Sequence, residues 1–374
     1  MSPTHILVDD CEPLPIDGLD VLHLSIPFDQ SASATKSMNS EFLPQAIIVR
    51  LRVGDVVGLG YAWDLRIGRA KSIKAAAEDI ALDLVGRDSR MIREHWQRSY
   101  AQLRFMGLHH GIGLAGLSAI DMALWDALGK GAGLPLHQLW GATRTEVPAY
   151  LGGGTGTTPE ELADEGEKNR DAGYSAMKAQ VGHADWRHDV QRIACLRERV
   201  GDDFEIFVDA HMMWDRRTAH LAAQGFLDYG VSWFEDPMPG EDLEGYRWLR
   251  SMTGIPIVHG ENAYTRQDVL NILRADAADI IMLDSMHCGG PTEMLQAAAI
   301  AAAYFVPVSS HAFHPIAPHF LAACDQSSYV EYHDAIRIFE GEPEPKNGII
   351  QLSDKPGFGL DLPQETVDRY LVED

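Results

Sequence analysis

Glu205-Ile206-Phe207-Val208-Asp209, Val231-Ser232-Trp233-Phe234-Glu235 and Ile255-Pro256-Ile257-Val258-His259-Gly260-Glu261 are three short apolar runs, each closed by an acid. Each acid lies 26 residues from the next. One strand, one helix and two loops fill such an interval. Successive βα units of a parallel barrel would therefore set Asp209, Glu235 and Glu261 side by side at one rim. Three converging carboxylates repel one another unless a cation lies between them, and all-oxygen ligands suit a hard ion, Mg²⁺ first. One acid at a strand end is ordinarily a loop residue or a helix cap. Three in register, each after a buried-looking run, call for another explanation.

The same rhythm continues outward from this stretch. Strand candidates lie at 147–151, 176–180, 280–284, 306–310 and 328–331, with helical stretches between most of them. Thr158-Pro159-Glu160-Glu161 is a helix start, with Thr158 as cap and Pro159 in the first turn. Pro291-Thr292-Glu293 opens an Ala-rich helix over 293–304. With the three runs above, eight strands and intervening helices predict an α/β fold, a (β/α)8 TIM-type barrel. No G-x-G-x-x-G follows a strand, which argues against a dinucleotide-binding sheet.

Residues two apart on a strand share a face. Lys178 and Gln180 thus both point inward on the second barrel strand. An inward Lys is costly without an anion, either a metal carboxylate or a substrate carboxylate, unless it snorkels out at the rim. Asp209 and His211 stand in the same relation on the third strand, where His211 reads as a ligand, an acid or a polar contact. Asp284 ends the sixth strand and His311 the seventh. A carboxylate that accepts one ring N–H fixes the tautomer and makes the other nitrogen a better base. Glu331 ends the eighth strand, within reach of a substrate oxygen.

The first 140 residues have a different pattern. Residues 21–24 and 46–53 read as strands, and Gly54-Asp55 as a turn. Between them FDQSASATKSMNSEF (28–42) is small and polar, a disordered tip or a mobile lid. Residues 116–128 recur at helical spacing and stop at Gly129 and Gly131. Asp121 and Asp126 within them read as helix-end or solvent-facing acids and not as catalysts. The organisation expected is an N-terminal α+β domain over 1–140, the barrel over 141–345, and a tail over 346–374 that packs back on the N-terminal domain.

With a net charge of −24 over 374 residues nothing resembles a basic patch, so no nucleic acid is expected as a partner. Any anion site needs its own local cations. The four cysteines, Cys11, Cys195, Cys288 and Cys324, are scattered, which fits a reducing cytoplasm. The N-terminus does not read as a secretory signal, and no run approaches the roughly 18 apolar residues of a membrane span.

SAIDMALWDALGKGAGLPLHQLWG (118–141), Val208-Asp209, Trp233-Phe234-Glu235-Asp236-Pro237, Gly260-Glu261-Asn262, Leu283-Asp284 with Gly289-Gly290, and Ser309-Ser310-His311 together resemble the enolase superfamily, specifically its mandelate racemase subgroup. The resemblance spans nearly the whole chain. It implies a capping domain on a modified barrel and Mg²⁺ held by Asp209, Glu235 and Glu261. It also implies a dyad of Asp284 and His311, with Glu331 stabilising an enolate, and a homo-oligomer. One position departs from the subgroup pattern. Lys-x-Lys is usual on the second strand, its second Lys a base, whereas here the motif is Lys178-Ala179-Gln180. An amide takes no proton at neutral pH, so two-base racemisation is disfavoured unless Lys178 swings in. His211, in place of the commoner Asn, resembles dehydratase members.

The function expected is an acid-sugar dehydratase, a hydro-lyase. His311 removes the proton α to a carboxylate, Mg²⁺ stabilises the enolate, and the 3-hydroxyl leaves to give a 2-keto-3-deoxy acid. His211, His311 itself or Lys178 is the leaving-group acid. Racemisation, epimerisation or cycloisomerisation through the same enolate is the alternative, and a catalytically silent metal-binding barrel the third reading. Gln180, His23, Trp63, Arg66 and Tyr150 are the expected substrate contacts. A basic residue among His23, Lys36 and Arg66 meeting a distal carboxylate would point to a diacid sugar.

Overall fold

The computed structural model describes residues 12–27, 44–312, 315–333 and 337–373. The polar stretch 28–42 with its Lys36 lies outside the described residues, as does Cys11.

Three antiparallel strands open the chain, β1 (Gly18–Ser25), β2 (Gln45–Val53) and β3 (Val56–Asp64). Helices α1 (Ile67–Leu82), α2 (Ile92–Phe105) and α3 (Ile112–Ala132) follow, then a short α4 (Leu136–Leu139). The sheet and α3 meet closely because both surfaces are small. A Cβ on Gly58 or Gly60 of β3 would strike the carbonyl oxygens of Ala123 and Ala119. Ala119, Ala123 and Ala127 line the helix at the contact, so backbone meets backbone. α3 is long and apolar enough to cross a membrane, yet 78% of that window is buried within the fold. Its apolarity is that of a core helix.

Eight parallel strands then close a barrel: β4 (Glu146–Gly154), β5 (Ala176–Gln180), β6 (Glu205–Asp209), β7 (Val231–Glu235), β8 (Ile257–His259), β9 (Ile280–Leu283), β10 (Val308–Ser310) and β11 (Ser327–Tyr332). They hydrogen-bond in sequence order, and β11 pairs with β4 to complete the ring. Closure removes the edges that an open sheet would expose. Between the strands run α5 (Pro159–Asp171), α6 (Trp186–Val200), α7 (Arg216–Leu227), α8 (Leu243–Met252), α9 (Arg266–Arg274), α10 (Pro291–Ala303) and α11 (Ala317–Ala322). Local chemistry starts them where the strands end. Thr158 and Glu161 form a capping box on α5, and Asp185, Asp215 and Asp242 cap α6, α7 and α8. The eight-stranded parallel barrel is the architecture the strand spacing predicts, and the three-stranded capping unit is the one the family resemblance implies.

The tail divides its contacts. β12 (Ile349–Gln351) pairs antiparallel with β4 of the barrel. Phe358, Leu360 and Val367, the last on α12 (Gln364–Tyr370), pack with Leu24, Ala46, Ile48 and Tyr61 of the N-terminal sheet.

Asp121 and Asp126 do not face solvent. Both are buried in α3, and both tie the capping unit to other segments. Asp121 accepts the backbone N–H and the hydroxyl of Thr292 at the start of α10, at 2.8 and 2.7 Å. Asp126 accepts the N–H groups of Leu59 and Phe358, both at 2.8 Å, and pairs with Lys130 at 2.7 Å. Each neutralises backbone donors that burial would otherwise leave unpaired.

A second buried polar junction carries a stability prediction. His319 of α11 sits 3.3 Å from His137 of α4, Nδ1 to Nδ1. Burial, and then repulsion from His137, pushes the His319 imidazole down to about 3. The unfolded group titrates near 6.5. Between these values the unfolded chain binds the extra proton, so the stabilisation is complete above about pH 6.5 and is lost as pH falls. The loss is about 1.4 kcal/mol per unit, or about 2 kcal/mol by pH 5. Urea unfolding at pH 7 and pH 5 checks this, because His319→Gln removes that share of the pH dependence.

Candidate active site

Alternation along the barrel strands builds the site in layers. The lower inward layer is aromatic: Tyr150, Phe207 and Trp233 are fully buried, the last two stacked with ring centroids 3.7 Å apart. The next inward positions, two residues on, are Gly152, Lys178, Asp209, Glu235 and Glu331. A charged layer thus lies on an aromatic floor. In register Gln180 faces Asp209 and Asp209 faces Glu235.

Asp209, Glu235 and Glu261 each offer an oxygen, all within 4.8 Å of one another. Asp209 and Glu235 are fully buried, and the Glu261 side chain is 12% exposed, just beyond the end of β8. Asp209 Oδ2, Glu235 Oε2 and Glu261 Oε2 are buried without a hydrogen bond. Burial pushes the Glu235 carboxyl well up against the pull of Lys178, and Asp209 and Glu331 push it further. Burial likewise raises Glu261. Mutual repulsion among the three carboxylates, and oxygens left without a hydrogen bond, are both relieved by a hard divalent cation, so the residues present fit such an ion.

Lys178 holds this layer together. Its ammonium lies 2.8 Å from Glu331, 2.9 Å from Glu235 and 3.3 Å from Asp209. Burial alone would lower its pKa, but Glu235, Glu331 and Asp209 hold it well above the usual lysine range. A lysine held so firmly as ammonium is a fixed cation and a poor swinging base.

His311 stands across the cavity on the β10 end. Its Nδ1 is 2.7 Å from Asp284 Oδ2, and its Nε2 is 3.1 Å from Glu261 Oε2. A carboxylate accepts only, so Nδ1 carries the hydrogen shared with Asp284, while Nε2 lies on the side of Glu261 and the acid cluster. Asp284 Oδ1 accepts the N–H groups of Met286 and His287, at 2.7 and 3.0 Å, which fixes the carboxylate plane. Burial would lower the imidazole pKa, but Glu261 and Asp284 raise it well above the usual value. Beside this pair, the Trp63 N–H at the end of β3 meets Met286 Sδ at 3.3 Å, so the capping sheet abuts the loop after Asp284. Trp96 of α2 donates to the Gly289 carbonyl of the same loop at 2.7 Å.

The backbone turns sharply just after these acids. His211, Asp236 and Ala312 have φ of 46°, 36° and 48°, in the left-handed region that non-glycine residues avoid. Each follows a site residue by one or two positions. Such strain persists where surrounding structure over-determines it, as at preformed sites. The turn brings His211 Nδ1 to 3.2 Å from Asp209 Oδ2, with the ring 44% exposed towards the mouth.

The structure thus gathers Lys178, Asp209, His211, Glu235, Glu261, Asp284, His311 and Glu331, with Gln180 half-buried on the rim. Two expected substrate contacts it places otherwise. Tyr150 is 0% exposed in the aromatic floor, where its ring lies 5.8 Å beneath the Lys178 ammonium. It supports the lysine and offers a substrate no surface. His23 is 2% exposed within the capping sheet, and its Nε2 is taken by Gln45 Oε1 at 2.8 Å. Arg66 is exposed at the start of α1.

Two imidazoles near the carboxylates were not among the expected residues. His287 stacks on His311, centroids 6.2 Å apart, with Nδ1 3.1 Å from the Glu261 carbonyl. His333 lies 3.1 Å from Glu331 Oε1. The sequence signal for His333 is the one that picked out His211: two residues beyond an inward acid on a strand. His287 has no such signal, because a loop places it.

Residues 161–366 match the enolase C-terminal domain-like family, and residues 27–141 the mandelate racemase / muconate lactonizing enzyme N-terminal domain. The chain is 32% identical over 332 residues to a 3,6-anhydro-alpha-L-galactonate cycloisomerase of Streptomyces coelicolor, covering 88% of this chain and 92% of that protein. It is 29% identical to an L-talarate/galactarate dehydratase of Salmonella typhimurium, covering 85% and 81%. Among solved structures it superposes on a racemase from Streptomyces coelicolor with bound magnesium, with a TM-score of 0.87, 29% identity, and 96% and 100% of the two chains covered. The chain belongs to the enolase superfamily, in its mandelate racemase and muconate lactonizing enzyme group.

Proposed function

We propose that this protein is a Mg²⁺-dependent acid-sugar dehydratase of the cytoplasm, working as a homo-oligomer. The observation that carries the reading is the asymmetry of the cavity. One side presents an oriented imidazole, His311 on Asp284. The other presents an amide, Gln180, and a lysine pinned as ammonium by three carboxylates. One base suffices for elimination, whereas racemisation through two bases needs a second.

Asp209, Glu235 and Glu261 would hold the cation. When bound, it supplies positive charge against the negative charge that develops on the substrate carboxylate as the α-proton leaves. Lys178, held in place by Glu331, adds a second fixed positive charge next to that carboxylate. Nε2 of His311 takes the α-proton, and Asp284 holds the imidazolium that results. The hydroxyl on the neighbouring carbon departs with a proton from an acid. The enol left behind tautomerises to a 2-keto-3-deoxy acid.

The experiment is a screen of the purified protein with Mg²⁺ against mono- and diacid sugars, scored for 2-keto-3-deoxy product. The expected result is product from at least one acid sugar, lost on chelation. α-Proton exchange in D₂O without any loss of water would sink the dehydratase reading. It would favour a cycloisomerase or epimerase, the reading that the Streptomyces coelicolor cycloisomerase supports.

A further inference from the structure

Glu331 lies on β11 and His333 just beyond its end, and the two side chains meet. His333 Nε2 is 3.1 Å from Glu331 Oε1, and the same oxygen is 2.8 Å from the Lys178 ammonium. The other oxygen, Oε2, accepts the N–H of Ala312, the residue after His311, at 2.8 Å. The Glu331 carboxylate is therefore fixed on three sides. Burial would raise its pKa, but Lys178 and then His333 hold it well below the usual range, so it faces His333 as an anion. A carboxylate only accepts, which puts a hydrogen on His333 Nε2 and leaves Nδ1 free of any partner among the described residues. The side chain is 30% exposed, so the ring is not sealed in the core.

The first barrel strand makes room for this ring. A Cβ on Gly152 would stand 2.6 Å from His333 Cε1 and 2.7 Å from both His333 Nε2 and Glu331 Oε1. Only glycine there lets the imidazole lie against β4 while keeping its carboxylate. The arrangement repeats, on the adjacent strand, what Asp284 does for His311: an anchored carboxylate holds one ring nitrogen and leaves the other uncommitted.

We propose that Glu331 and His333 form a second carboxylate–imidazole dyad, and that His333 is the acid that protonates the leaving hydroxyl. The proposal rests on the dehydratase reading. Protonated His333, its charge compensated by Glu331, donates the Nδ1 hydrogen to the hydroxyl oxygen on the carbon next to the α-carbon. The C–O bond breaks with its electron pair and water departs. The pair left when His311 took the α-proton becomes the new carbon–carbon double bond. Tautomerisation of the enol moves one proton from oxygen to carbon. His311 then holds one proton more and His333 one fewer, and solvent returns them to the starting state, so the net change is loss of water alone.

The test separates the two halves of the reaction in full-length Mg²⁺-loaded His333→Gln and His333→Asn enzymes, with thermal melts as a folding control. The expected result is α-proton exchange in D₂O within about threefold of wild type, with 2-keto-3-deoxy product formation down about 100-fold. A substrate analogue with fluorine in place of the leaving hydroxyl should then react at near wild-type rate, because fluoride departs without a proton. Wild-type turnover in both variants overturns the proposal. Equal loss of exchange and product in variants that melt normally also overturns it, since His333 would then only position Glu331. Exchange without product in the wild-type enzyme would defeat the dehydratase reading itself, and the proposal with it.

Discussion

His311→Asn is expected to lower turnover by roughly 10³-fold, within the range for loss of a general base, and to abolish α-proton exchange to the same degree. Asparagine keeps a polar contact to Asp284 but accepts no proton from carbon. Nδ1 is committed to Asp284 at 2.7 Å, which leaves Nε2, 3.1 Å from Glu261 Oε2, as the base nitrogen. Asp284→Asn should follow it closely. Its oxygen would stay with the N–H groups of Met286 and His287. The amide nitrogen would then face Nδ1 as a donor and force the hydrogen onto Nε2, the wrong tautomer for a base. Stopped assays and D₂O exchange on the same preparations read both steps. Exchange at wild-type rate in His311→Asn would place the base elsewhere.

Removal of Mg²⁺ is the second large effect. Chelation should abolish turnover, and re-addition of Mg²⁺ should restore it. Stability reports binding independently of chemistry. At a concentration 100 times its Kd the ion should stabilise the fold by about 2.7 kcal/mol, read as a rise in Tm over the chelated protein. Asp209→Asn should erase both responses, because it removes one of three charges that converge within 4.8 Å. The chelated protein still folds in this account, since Lys178 compensates the same carboxylates. Lys178→Met should therefore be far more destabilising in chelator than in Mg²⁺. The cost of leaving buried charges unpaired is about 3–5 kcal/mol, and the ion offsets part of it. Equal destabilisation in both conditions would show that Lys178 does not share charge compensation with the ion.

Much of the fold was legible in one dimension because barrel strands are local objects. Each is a short apolar run closed by a polar residue, and their spacing is set by the length of a helix and two loops. Asp209, Glu235, Asp284 and His311 sit at such ends, so the period that predicts the barrel also predicts their convergence. The rule of two residues per face places Lys178 above the core, whereas His211 and His333 lie just past their strand ends, and the local backbone there brings them back to Asp209 and Glu331. Asp121 and Asp126 look like helix-end or solvent-facing acids in one dimension because their partners, Thr292, Leu59 and Phe358, come from distant segments.

The sequence by itself determined the barrel, the carboxylate triad and the departure at Gln180, since these depend on residue type at fixed spacing along single strands. Tertiary structure alone decided how Lys178 is shared among three acids, that Tyr150 is floor and not wall, and that His287 lies against His311. These depend on which side chains from different strands and loops meet in one small volume. Depth and contact across the barrel are properties of its closure, and no local period encodes them.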